Sequence, residues 1–132
     1  MTARRDVSPA VVERLAAICL ALPEAREEDA WTGVRWRVGS KTFAHAVAID
    51  GSWPPAYARA AGTDGPVTVL TFHAAGEDLA ALASMGPPFF KPVWAETIVG
   101  MVLDDADWGE VEELISDSYR AVAPRRLANR VE

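Results

Sequence analysis

One cysteine, two histidines and no apolar run long enough to cross a bilayer set the first limits on this chain of 132 residues. Cys19 alone can make no internal disulfide, and one thiol with the distant His45 and His73 forms no metal-ligand set. It sits on the apolar stripe of an expected helix, away from the base and electropositive setting of a reactive thiol, and so reads as core. No serine elbow, cysteine pair or fixed carboxylate set stands beside the histidines, so no enzyme and no cofactor are indicated. His45, alternating with Phe43 and Val47, reads as a half-buried strand histidine. The glycines are scattered at turns, which excludes a phosphate-cradling loop. Glu, Arg, Pro or Asp interrupts every apolar stretch before the ~18 residues of a membrane span. Residues 1–12 lack an apolar export core. A cytoplasmic protein with no membrane partner is expected.

Positive charge is also scarce. Thirteen basic residues face nineteen acidic ones, a formal net charge of −6, whereas most duplex-binding proteins carry a basic face. The cations are nevertheless clustered. Arg35, Arg37 and Lys41 crowd one stretch, and Arg120, Arg125, Arg126 and Arg130 fall near the end.

Residues 31–49 carry the strongest pattern. Val34, Trp36 and Val38 alternate with Arg35 and Arg37, and beyond Gly39-Ser40 a second arm carries Phe43, His45, Val47 and Ile49. Two loop residues beginning with Gly suit a II′ turn, because Gly accepts φ > 0 at the first central position. The expectation is a β-hairpin pairing residues 34–38 with 42–49.

Around it, Ser8-Pro9 opens a helix as cap and first helical residue, with Val11, Val12, Leu15, Ile18, Cys19 and Leu22 at helical spacing until Pro23. Residues 23–30 are acidic and read as a solvated connection that can hold a helical turn. Residues 50–66 hold three Gly and three Pro, which suits a mobile lid or an insertion, with one helical turn over 57–61. Residues 67–72 form a strand, 75–85 a short helix, and 97–103 a buried strand in which Gly100 permits close packing. Asp107 caps the last helix, with Glu110 three residues on and a buried stripe of Val111, Leu114, Ile115, Ser118 and Val122. The expected architecture is a single α+β domain over 1–132: one antiparallel or mixed sheet with helices packed on one face. Residues 1–7 and 127–132 are expected to be flexible. Val11, Leu15, Ile18, Cys19, Leu22, Val69, Val99, Met101, Leu114 and Ile115 are expected in one core.

Three groups of residues are candidate sites. Arg35, Arg37 and Lys41, helped by Lys91 and the C-terminal arginines, suit a wing that contacts phosphates. The competing reading pairs the two arginines with Glu27, Glu28 or Asp29 on a solvated face. Trp36, Phe90 and Trp94 suit a pocket for a small aromatic ligand under residues 50–66, or else plain packing. Asp104, Asp105, Asp107 and Glu110 match no calcium loop, and capping accounts for the last two, so no metal is assigned.

The first-helix ending ICLALPEA, the hairpin WTGVRWRVGSKTFA, the Phe89-Phe90 loop and the closing SYRAVAPRRLA, in that order, resemble the MmcQ/YjbR family. The resemblance implies a compact double-wing fold similar to that of the bacterial frataxin homologue CyaY, and a DNA-binding function. The family commonly has Gly after the first Trp and Pro-x-Phe before Arg-Val. This chain has Thr32, Val34 and Trp36 instead. The leading expectation is a non-catalytic protein that binds DNA weakly and salt-sensitively. The alternatives are a module for a small aromatic ligand or one for protein interaction.

Overall fold

The computed structural model describes residues 7–131. Six strands form one antiparallel sheet in the order β1-β2-β3-β4-β6-β5. They are β1 (Arg26–Asp29), β2 (Val34–Val38), β3 (Lys41–Ile49), β4 (Val67–His73), β5 (Phe89–Phe90) and β6 (Ile98–Val102). The helices are α1 (Pro9–Cys19), α2 (Pro55–Ala61), α3 (Gly76–Met85), α4 (Trp108–Val122) and α5 (Arg125–Ala128). The α+β class with an antiparallel sheet is as expected.

The hairpin forms through Gly39-Ser40, and Gly39 takes φ +59°, as the first central position of a II′ turn requires. Its alternation breaks at one place. Trp36 pairs with Ala44 but Arg37 pairs with Thr42, so Phe43 is an extra residue opposite no partner. The bulge puts Phe43 and Ala44 in the same core and leaves His45, Val47 and Ile49 on the opposite face, so Phe43 does not share a face with them.

The acidic stretch after Pro23 is a strand, which corrects the expected solvated connection. Glu27 pairs with Trp36 and Glu28 with Arg35, so cross-strand partners satisfy charges that in sequence look like a solvated run. A short, charged strand also suits a sheet edge, where it discourages pairing with another chain.

Two cores flank the sheet. The larger lies under α1, α3, α4 and α5 and holds Leu15, Cys19, Trp36, Phe43, Phe72, Met101, Ile115 and Tyr119. The smaller lies on the other face, where Tyr57 and Ala58 of α2 cover Val47, Ile49, Val69 and Phe90. Val69 therefore leaves the expected single core, because neighbours on a strand point to opposite faces and Leu70 takes the helix side. Val11, Ile18, Leu22 and Leu114 pack only at the margin of the larger core. Residues 50–66 are not a structureless connection, since α2 docks there and ends at Gly62 in the left-handed conformation.

Helix ends follow local chemistry. Asp107 accepts from the backbone N–H groups of Gly109 and Glu110, whereas Ser8 makes no side-chain cap. α1 also stops at Cys19, before Pro23. Val7 and Leu127, read from sequence as parts of flexible ends, are both in the larger core, which corrects that expectation at these two residues. Residues 1–6 and 132 lie outside the described part.

Candidate ligand cleft on the open sheet face

The register aligns one row of residues across all six strands. Glu28, Arg35, His45, Thr71, Gly100 and Phe90 follow one another as paired positions on β1, β2, β3, β4, β6 and β5. Opposed residues share a face, so this row marks the face that α1, α3, α4 and α5 leave free. On one side of it, Val47, Val69 and Val102 continue under α2. On the other, His73 and Ile98 follow as the next pair and line a cleft.

A cleft of about 240 Å³ stands on this row, with Arg35, His45, Thr71 and His73 among its polar lining and Trp31, Tyr57 and Trp94 as its aromatic walls. The walls form a chain of ring contacts. Tyr57 meets Trp94 edge-on at 5.0 Å, and Trp31 stands 6.4 Å from Tyr57 and 6.0 Å from Trp53. Two of these walls are open to water, Trp31 72% and Trp94 47% exposed, and adjoining exposed apolar surface of this kind marks interaction sites.

His45 is held in one tautomer. Its Nε2 lies 2.8 Å from the carbonyl of Thr32, which can only accept, so Nε2 carries the proton and Nδ1 offers its lone pair to the Tyr57 hydroxyl at 3.4 Å. Burial lowers its proton affinity, and the Arg35 charge adds to this against the opposing bond to Thr32. His73 is lowered for the same first reason and then by the charge of Lys41, and its Nδ1 lies 3.1 Å from the Thr97 hydroxyl. Burial raises the Tyr57 phenol. The cleft floor is therefore lined by neutral, hydrogen-bonding rings at neutral pH.

The expected site residues are distributed as follows. Arg35 and Arg37 share the open face, and one oxygen of Glu28 accepts from both, at 2.8 and 2.5 Å from Arg35 and 3.2 Å from Arg37. Arg37 also donates to the carbonyl of Ser40. Lys41 pairs with Val38, whose side chain is buried with the helices, so the register sets it apart from the two arginines. Lys91 donates to the carbonyls of Pro92 and Ala95 and is bound within its own loop. Arg120 is paired with Asp117 and Arg126 with Glu24.

Of the three expected pocket residues, Trp94 alone lines the cleft. Trp36 is fully buried on the helix side, its indole N–H donating to Glu27 at 2.9 Å. Phe90 is spent on covering Gly100, where an added Cβ would stand 2.2 Å from its ring. Sequence reasoning missed Tyr57, Thr71 and the place of His45 in the row, because they meet only through strand register. Asp104 accepts from the Thr68 N–H and Asp107 caps α4, which accounts for both without a metal. Among the described residues no group of three or more His, Cys, Asp or Glu side chains is placed to hold a metal ion. Nor is any helix there long and apolar enough to cross a membrane.

The molecule is thus an α+β protein in which one antiparallel sheet is buried on one side by helices and on the other keeps an aromatic-walled cleft. The chain belongs to the YjbR family, whose model matches residues 20–121 and so spans the sheet, the cleft and most of α4. No curated protein matches the chain.

Proposed function

We propose that this protein is a non-catalytic binding module for a small planar aromatic molecule, held on the open face of the sheet. The observation that supports this most is the cleft itself: a polar cross-strand floor under Tyr57, Trp94 and Trp31, with a volume of about 240 Å³. Small-molecule sites join apolar walls to a few fixed polar groups in this way. The rings supply area and stacking, and the locked His45 tautomer and the Thr71 hydroxyl supply direction. Titration of a panel of one- and two-ring aromatics, read by quenching of tryptophan fluorescence, tests the reading. Saturable quenching that is lost in Trp94→Ala supports it, and the absence of saturable binding across the panel overturns it.

Nucleic-acid association is the second reading, supported by Arg35 and Arg37 on one strand face beside the exposed Trp31. The shared bonds to Glu28 and a net charge of −6 oppose it. About three phosphate contacts would give a log–log salt slope near −3. Titration with random duplex and single strand at two salt concentrations tests this, and equal binding by wild type and the Arg35→Ala, Arg37→Ala double variant removes the wing from consideration.

A further inference from the structure

Resting on the ligand reading above, we infer that the cleft is built for an aromatic anion, with its ring against Tyr57 and Trp94 and its negative charge directed at Arg35. The formal charge in the lining itself has one sign. Arg35 lines it and no Asp or Glu does, in a chain whose acids outnumber its bases by nineteen to thirteen. A quaternary ammonium would suit the three aromatic walls equally well, but Arg35 in the same lining repels it. A polyanion is too large for about 240 Å³ and is repelled by the net charge of −6, whereas a one- or two-ring carboxylate carries a single charge and fits.

Glu28 shows how the arginines receive a carboxylate. A single oxygen, Oε1, gathers both Arg35 donors and one from Arg37, and the other oxygen lies 3.8 Å from Arg26. This internal carboxylate sits at the end of the row whose next members, Arg35 and His45, line the cleft. It leaves a donor unused, because the Nε–H of Arg37 is buried without a hydrogen-bond partner. A ligand carboxylate entering along the row competes with Glu28 for Arg35 and forms the same charge-assisted bonds. Glu28 is then a competitor held in place when the cleft is empty, and its removal strengthens ligand binding.

The test compares naphthoate with its neutral amide, naphthamide, at low salt, with affinities measured by calorimetry and by tryptophan quenching. One charge-assisted bond predicts that wild type binds naphthoate about tenfold more tightly than the amide. Arg35→Gln is expected to abolish that preference, bringing the affinities of the two probes to within about twofold of each other. Glu28→Gln is expected to raise naphthoate affinity about three- to tenfold and to leave the amide unchanged. Equal wild-type affinities for the two probes, or a preference that survives Arg35→Gln, overturns the anion inference while the ligand reading stands. If neither probe binds, the anion inference falls, and the panel of one- and two-ring aromatics decides the ligand reading by itself. Should Arg35→Gln fail to fold by thermal unfolding, Glu28→Gln decides the matter, and unchanged or weaker naphthoate binding there overturns the inference.

Discussion

The hydroxyl of Ser118 donates to the carbonyl of Phe43 at 2.6 Å and accepts from the N–H of His73 at 2.8 Å, joining α4 to two strands across 75 residues of chain. Phe43 is the bulged residue, and regular pairing of β3 with β4 begins one step later, at Ala44 and Phe72. The serine thus stands just beyond the last regular β3–β4 pair and satisfies a backbone carbonyl on one strand and a backbone N–H on the other. Ser118→Ala leaves them buried without partners and should cost about 1–3 kcal/mol in urea unfolding. Ser116→Ala, on the same helix but at a half-buried position, should stay within about 0.5 kcal/mol. Equal losses at the two sites would show that the bridge is not what stabilises this junction.

Gly100 and Phe90 make a second tight contact. A Cβ on residue 100 would lie 2.2 to 2.7 Å from three atoms of the ring, and Phe90 is itself buried against α2, so the ring has little room to move. Gly100→Ala should cost about 1–3 kcal/mol through overpacking. The loss should shrink in a Phe90→Leu background, where the obstructing ring is gone, and a double-mutant cycle measures that coupling. Additive effects would mean that the strain lies elsewhere.

The two neighbours Leu114 and Ile115 should behave differently. Ile115 is fully buried among the strands and Leu114 is only partly covered, beside α3, at the edge of the larger core. Ile115→Ala should cost about 2–5 kcal/mol, as a large aliphatic replaced by a cavity does. Leu114→Ala should cost less than half as much, because the site already opens to water. Chemical denaturation of both variants checks the order.

These residues also show what was legible in the chain. The hairpin and α4 could be read because each repeats residue types at its own period, β4 because it is rich in β-branched residues, and Asp107 marks the start of α4. Tyr119 lies four residues beyond Ile115 on the same stripe and was readable on that ground, although its hydroxyl reaches Pro23 across 96 residues, which no local pattern shows. β1 was not legible. Its sequence Arg-Glu-Glu-Asp looks solvated until Trp36 and the two arginines are placed opposite it. The candidate site depends still more on register. Arg35 and Trp94 were visible as single residues, but the row through His45 and Thr71 exists only once five strand pairings and one bulge are known. Tyr57 comes from a Gly- and Pro-rich stretch whose short helix is held by the sheet below it and has no strong period of its own.

The histidine at the centre of the row links the cleft to pH. His45 is neutral in the folded protein, with Nε2–H bound to Thr32 and Nδ1 facing Tyr57, and burial first and Arg35 next hold its proton affinity below the ordinary value of 6.5. In the unfolded chain the same imidazole takes up a proton as pH falls through about 6.5, while the folded form resists. The unfolded state then binds more protons, so stability is fully present above 6.5 and is lost as pH falls towards the lowered folded value. His73 is shifted the same way and adds to the slope. Glu28 follows in a more acidic window: its hydrogen bond to Arg35 holds its carboxyl below 4.5, so its contribution is present above 4.5 and fades as pH falls further. Melting temperature should therefore fall between about pH 7.5 and pH 5.5, and the fall should be shallower in His45→Gln, whose amide can still donate to Thr32 and does not titrate. An identical pH dependence in wild type and His45→Gln would mean that His45 does not resist protonation in the fold, and the assignment of its neutral tautomer to the cleft floor would fail with it.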